Sequence, residues 1–261
     1  MHKIFITTSQ LAETIKSHEI QLIHCAKFID TTPIHIPNSY LLRYSSDTED
    51  FVSTFKKLAF AEEIPIIIYD DGNLESVSKI WYCLRSIGKL PLILDGGIKK
   101  WVKEYGPVVN SVANLPLLTN DSEHEINEDY YKLPEEVADK QDEIQFIETS
   151  SDYLKILDSE NTIKPINELE EFFSAKGVKL SNEKLLLLKG DFAYLCAIAL
   201  TVIGLKNLAI EVSPAASRRS SASTRFYSID DTTKIFEINK ASATVEEDLY
   251  SDSHCCRCIT F

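Results

Sequence analysis

The 261-residue chain has little glycine and proline, with 8 and 9 residues of each. This scarcity excludes collagen-like sequences and long Gly/Ser-rich disordered segments. No stretch approaches the roughly 18 consecutive apolar residues that a membrane-spanning helix needs. The opening residues, 1–8, have neither the length of a signal peptide nor the arginines of a transit sequence, so we expect a protein that is not secreted.

Basic residues are also scarce: 27 Lys and Arg stand against 40 Asp and Glu, for a formal charge of −13. A negative field of this size repels phosphate backbones, so we predict no nucleic-acid partner. The excess is concentrated in residues 110–160, where 14 acidic residues and 3 lysines leave a net charge of −11. We interpret this run as a solvated linker rather than an acidic docking site.

The six cysteines do not form the pattern of a disulfide framework. Cys25, Cys83 and Cys196 stand alone in apolar segments, and we predict that they are core residues. The other three lie within the last seven residues. This usage favours a reducing, cytoplasmic compartment, and a mitochondrial location stays open.

Strand and helix signals alternate along the chain, and the order in the first half recurs in the second. Strands are predicted at 4–6, 20–23, 64–69, 92–94, 144–147, 185–188 and 208–210, and helices at 11–16, 50–58, 76–87, 98–105, 133–140, 166–176 and 192–203. Strand–helix–strand spacing of this kind predicts an α/β fold in which mostly parallel sheets are flanked by helices. The repeated order indicates an internal duplication.

This duplication gives a prediction of domain organisation. We expect one domain at residues 1–112, an acidic linker at 113–124, a second domain at 125–214 and a largely flexible tail at 215–261.

The most informative place in each half is the loop between a buried strand and the next buried helix. Backbone N–H groups at the start of that helix point into the loop and favour an anion there. A cysteine that opens the loop would be held as a thiolate, able to accept sulfur or to attack phosphate.

Several segments around these loops resemble tandem rhodaneses, the thiosulfate and 3-mercaptopyruvate sulfurtransferases. Residues 66–88, 94–101 and 106–108 resemble the N-terminal domain of that family, and His35-Ile36-Pro37 resembles its His-Ile-Pro-Gly-Ala element. Weaker similarity in residues 146–150 and 190–204 extends the resemblance over about residues 4–213. The resemblance implies two rhodanese-like domains. The positions that match its motifs are His35, Asp70, Gly72, Asp95, Gly96, Gly97, Trp101 and Gly190.

The family's catalytic cysteine is missing from both expected positions. Counting back from Gly190 and from Gly204 places Leu187 where the second domain should carry the nucleophile, and Asp70 occupies the first position, as the family's non-catalytic N-terminal domains do. Residues 144–190 contain no arginine, the residue that most often clamps an anionic substrate. We therefore predict a degenerate member without sulfur-transfer activity, a structural or regulatory module that uses no metal or cofactor and binds a protein partner that the sequence does not name.

Other interpretations remain at this stage. An active sulfurtransferase would need an unaligned cysteine, and Cys196 is the best candidate because its helix follows the expected loop. A rhodanese-like phosphatase is disfavoured because the chain has no Cys-x5-Arg motif. His35 could serve as an acid–base group, but we favour a loop histidine that packs between the domains.

The end of the chain carries three further hypotheses. Cys258-Ile259-Thr260-Phe261 matches the C-a-a-X prenylation pattern, and Cys255 and Cys256 could accept palmitate, which would bring the protein to a membrane surface. The alternatives are a metal site formed by His254 with these cysteines, which adjacent cysteines fit poorly, and an unmodified tail. The run 218–221, Arg-Arg-Ser-Ser, predicts phosphorylation by a basophilic kinase.

Overall fold

The structure is a computed structural model, and it describes residues 4–27, 34–44, 55–60, 62–118, 123–140 and 142–212. The described chain forms two parallel β-sheets flanked by helices. The strands are β1 (Phe5–Ile6), β2 (Gln21–Lys27), β3 (Ser39–Tyr44), β4 (Ile66–Tyr69), β5 (Leu92–Leu94), β6 (Ala113–Asn114), β7 (Tyr131–Lys132), β8 (Ile144–Glu148), β9 (Leu185–Lys189) and β10 (Leu208–Glu211). The helices are α1 (Thr8–Ser17), α2 (Glu75–Ser86), α3 (Gly97–Glu104), α4 (Pro134–Val137), α5 (Ile166–Ala175) and α6 (Ala193–Ile203).

The first sheet has the strand order β1-β5-β4-β2-β3-β6. Its central strand β4 is buried along its whole length because it pairs on one side with β2 and on the other with β5. All pairs are parallel, so the carboxyl ends of β2 and β4 reach the same edge of the sheet. The loop that follows β4 therefore lies at the edge where open α/β sheets usually bind ligands.

The second sheet has the order β7-β10-β9-β8, again with parallel pairing throughout. Strand β9 lies inside this sheet, between β10 and β8. Helix α6 follows β9 directly, as α2 follows β4 in the first sheet. The two sheets thus repeat one strand–loop–helix unit, as the sequence predicts.

A large apolar core joins the two sheets through α2 and α6, which contact each other. Most side chains of helix α6 are buried in this core because the helix is apolar nearly all round. The Tyr82 hydroxyl of α2 donates to the Tyr130 carbonyl at 2.7 Å and so ties the two parts of the chain together. A second cluster, with Leu11 and Trp101, covers the other face of the first sheet beneath α1 and α3.

The predicted α/β fold with parallel sheets is confirmed, and most element boundaries lie within two residues of the prediction. Three strands were not predicted: β3, β6 and β7. The helix predicted at 133–140 is only α4, residues Pro134–Val137. Of the helix predicted at 50–58, residues 50–54 lie outside the described chain, and Leu58 instead bridges to Leu117.

The interpretation of residues 110–160 as a solvated linker is wrong where this run supplies strands β6, β7 and β8. Strand β6 pairs with Tyr40 and Leu41 of β3, so part of the predicted linker 113–124 extends the first sheet. The predicted domain boundaries themselves stay a prediction, and the tail at 215–261 lies outside the described residues. No helix in the described ranges is long and apolar enough to cross a membrane.

Candidate functional site

The first strand–helix loop, residues 70–74 between β4 and α2, is filled by its own carboxylate. The Asp70 side chain is buried and accepts the backbone N–H of Gly72 at 2.8 Å and of Val77 at 3.4 Å. These N–H groups are the ones that would otherwise hold an anion at the start of a helix. Asp70 thus takes the place of an external anion in this loop.

Burial of Asp70 has an electrostatic consequence. Removal from water raises the pKa of this carboxyl to about 6, and the hydrogen bonds from Gly72 and Val77 oppose the rise only in part. The neighbouring Asp71 adds a further rise in the pKa through charge repulsion. The negative charges of both carboxylates would repel a negatively charged substrate at this edge of the sheet.

The turn between β5 and α3 packs against the first strand–helix loop. The Ile98 N–H donates to the Asp70 carbonyl at 2.9 Å, and the backbone at Gly97 passes so close that only glycine fits there. Lys100 pairs with Asp95 at 2.7 Å, and the Trp101 indole N–H donates to the Pro107 carbonyl at 3.0 Å. These motif residues hold the loop in place and contribute no reactive group.

The second strand–helix loop is shorter, with only residues 190–192 between β9 and α6. The Thr149 hydroxyl, from the end of β8, accepts the Phe192 N–H at 3.2 Å and donates to the Lys189 carbonyl at 2.8 Å. A Cβ added at Gly190 would lie 2.5 Å from the Thr149 carbonyl oxygen, so the two chain segments are in direct contact. This loop is therefore closed by a side chain of the protein itself.

We expect Thr149→Val to destabilise the fold by about 1–2 kcal/mol, because the nearly isosteric valine leaves the Phe192 N–H without an acceptor. Thr149→Ser keeps the hydroxyl and is the matched control. Urea unfolding of both variants measures the difference. Equal stabilities would show that the hydroxyl does not close the loop.

Leu187 does not open the second loop, contrary to the prediction. It is the third residue of β9, paired with Phe146 and Ala209, and its side chain is fully buried with Val137 and Ile144. The count takes Gly190 as the last residue of a Cys-x-x-Gly frame, whereas Gly190 itself directly follows β9, three residues after Leu187. The residue that leaves β9 is Gly190, which has no side chain.

The three cysteines of the described residues are core residues, as predicted. Cys25, Cys83 and Cys196 are free and buried. Burial raises the pKa of the Cys83 thiol to about 11 and raises those of Cys25 and Cys196 well above the ordinary value. Cys196 lies within α6 and not at the mouth of the loop. Cys255, Cys256 and Cys258 lie outside the described residues.

The sequence predicts that His35 packs between the domains; in the structure it lies against the first sheet, where its Nδ1 is 2.8 Å from Nδ1 of His24. His24 and Thr149 are not among the residues that the sequence predicts for the site. A histidine inside the apolar strand β2 is a signal that could have drawn attention to His24, whereas Thr149 has no such signal. Within the described ranges, no group of three or more His, Cys, Asp or Glu side chains could hold a metal ion.

Comparison with known proteins finds relatives among the sulfurtransferases. Residues 7–104 match the model of the rhodanese-like domain. A thiosulfate/3-mercaptopyruvate sulfurtransferase 2 of Arabidopsis thaliana is 26% identical over 119 residues, which are 45% of this chain and 35% of that protein. A 3-mercaptopyruvate sulfurtransferase of Escherichia coli (strain K12) is 26% identical over 136 residues, which are 43% of this chain and 48% of the relative. The matches thus span between about a third and a half of these curated relatives.

The likeness at the level of the fold is more extensive. The crystal structure of SseA from Escherichia coli, described as a 3-mercaptopyruvate sulfotransferase with the rhodanese fold, superposes with a TM-score of 0.61 at 19% identity. The match covers 80% of this chain and 98% of that one. Both sheets of this chain therefore have counterparts in that structure.

Proposed function

We propose that this chain, which belongs to the rhodanese family of sulfurtransferases, does not transfer sulfur itself and acts as a structural or regulatory module. The observation that carries the proposal is the filling of both strand–helix loops. Asp70 occupies one loop and Thr149 the other, and neither loop presents a thiol.

The chemistry of sulfur transfer explains why this filling matters. A persulfide forms when a thiolate attacks the outer sulfur of thiosulfate, the S–S bond breaks and sulfite leaves, so the nucleophile must be ionised and reachable. Asp70 and Thr149 cannot accept sulfur. Each also consumes the backbone N–H groups that would stabilise an anionic donor or a developing charge.

The alternative is an active sulfurtransferase that uses a cysteine elsewhere. Within the described residues, this enzyme would have to ionise a buried thiol whose pKa lies far above neutrality. Cys196 would in addition have to leave the interior of α6. The terminal cysteines Cys255, Cys256 and Cys258 lie outside the described residues and are tested by substitution.

We expect the purified full-length chain to show no turnover above the protein-free background, either with thiosulfate and cyanide or with 3-mercaptopyruvate and a thiol. Intact-mass measurement after incubation with thiosulfate should detect no added sulfur atom. Cys196→Ser is tested in parallel, together with a triple variant in which Cys255, Cys256 and Cys258 are serine. Turnover that one of these variants abolishes would refute the proposal.

A further inference from the structure

Among the described residues, the two sheets have four edge strands, and three of these are very short. Strands β1, β6 and β7 have two residues each, so they offer little backbone to another chain. Strand β8 has five residues, Ile144–Glu148, and none of them is a proline or a lysine, the residues that commonly block a sheet edge. Strand β8 is therefore the longest open edge of the described chain.

The backbone groups of β8 alternate between the sheet and its open side. The Glu143 carbonyl accepts the N–H of the first residue of β9 at 3.1 Å, and the Thr149 N–H donates to the carbonyl of the last residue of β9 at 2.7 Å. Because the bonds of a parallel ladder recur at every second residue, the odd-numbered residues of β8 face β9. The N–H and C=O groups of Ile144, Phe146 and Glu148 point to the open side, where no described strand pairs with them.

The first sheet shows which strand is missing beside β8. Strand β2 lies next to β4 as β8 lies next to β9, but β2 also pairs with β3 on its other side. Leu22 of β2 pairs with Ile67 and Phe146 of β8 pairs with Leu187, in both cases two residues before the central strand ends. Leu22 is 2% exposed, whereas Phe146 is 49% exposed. The described part of the second sheet thus has no counterpart of β3, and an aromatic side chain lies half-exposed at its edge.

The charge at both ends of this edge is negative. Asp142, Glu143 and Glu148 are exposed, and none of them forms an ion pair with a described residue. The whole chain carries a formal charge of −13, so a second copy would bring like charges to the contact, whereas a basic segment would be attracted. A pair of five-residue strands is in addition much smaller than the interface of about 800 Å² per partner that a stable dimer needs.

We infer that the edge of β8 is a docking site for an extended, basic segment of a partner protein, which adds a strand to the second sheet in the position that β3 holds in the first. The open backbone groups bind the main chain of the segment, and one of its apolar side chains covers Phe146. Its lysines or arginines lie near Glu143 and Glu148. The inference does not depend on whether the chain transfers sulfur, because neither strand–helix loop uses these backbone groups, so a positive sulfur-transfer assay would leave it standing.

Hydrogen exchange of the free full-length chain, followed by NMR for each residue, tests whether the edge is open. The amides of Gln145 and Ile147 should exchange slowly because they donate to β9, and those of Phe146 and Glu148 should exchange faster by about tenfold or more. Equal protection of Phe146 and Ile147 would show that the edge is already occupied and would overturn the inference. A concentration-dependent dimer in sedimentation that Phe146→Lys abolishes would assign the edge to a second copy and would overturn it as well.

A synthetic peptide tests the docking chemistry. The probe is an acetylated heptapeptide of alternating valine and threonine with a lysine at each end, and the control peptide has glutamate at both ends. In NMR titrations of the full-length chain, we expect the lysine peptide to shift the amide signals of Phe146 and Glu148 progressively and to bind about tenfold more tightly than the glutamate peptide. The absence of such shifts at millimolar peptide, or equal affinities for the two peptides, would refute the inference.

Variants of two edge residues separate the apolar contact from the charge. Phe146→Lys should weaken binding of the lysine peptide by about tenfold or more, since a lysine on an edge strand opposes pairing. Leu90→Lys makes the same change at a side chain that is 58% exposed and lies before β5 of the first sheet, so its affinity should equal that of the parent chain. Glu148→Lys should reverse the preference between the two peptides. Equal losses in Phe146→Lys and Leu90→Lys, or an unchanged preference in Glu148→Lys, would place the peptide elsewhere on the chain and overturn the inference.

Discussion

Gly97→Ala should destabilise the fold by about 3 kcal/mol or more, the range of substitutions that force a backbone collision. An added Cβ would lie 2.5 Å from the Asp70 carbonyl oxygen and 2.7 Å from the Gly72 nitrogen. Neither atom belongs to a flexible side chain that could move away. The φ of +56° at Gly97 adds strain for any residue with a Cβ.

Gly88→Ala separates the two causes. Gly88 also has a positive φ, +79°, but an added Cβ would meet nothing within 4 Å. We expect this control to lose only about 1–2 kcal/mol, the contribution of left-handed backbone strain alone. The free energies of unfolding in urea give both values. Equal losses for the two variants would contradict the close approach between the turn and the Asp70 loop.

The parts of the fold that local patterns dictate were predictable. The β-branched run at 66–68 and the terminating Gly88 lead to β4 and α2 because burial and helix capping act over a few residues. Strand β3, residues Ser39–Tyr44, was missed because its polar ends resemble a loop, and its identity as a strand depends on pairing with β2. Such long-range pairing leaves little trace in the local sequence.

The candidate site shows the same limit. Asp70 was correctly placed after β4, but its role as an internal anion depends on N–H groups whose direction follows from the folded loop. Leu187 is misplaced because the count takes Gly190 as the end of a Cys-x-x-Gly frame, and only the pairing of β9 shows that the strand runs on to Lys189. The sequence therefore predicted that the nucleophile is missing more reliably than it predicted what fills its place.

Replacing Asp70 should change how stability depends on pH. Its pKa is about 6 in the folded chain against an ordinary value of 3.8, so folding favours the protonated form. The stability that this group contributes is fully present below pH 3.8 and is lost as the pH rises through 6. A pKa difference of this size corresponds to about 3 kcal/mol.

Asp70→Asn removes this titration. Relative to the parent chain, the free energy of unfolding of the variant should rise by about 3 kcal/mol as the pH increases from about 4 to about 7.5. A loss of about 1 kcal/mol, the same at every pH, is subtracted from this gain because the amide nitrogen cannot accept the Val77 N–H. Urea unfolding at a series of pH values measures the gain, and Glu75→Gln controls for the change in net charge. A constant difference between Asp70→Asn and the parent chain across this range would show that the carboxylate is not buried in the loop. In that case the first loop would be open to an external anion, and the main support for an inactive protein would be lost.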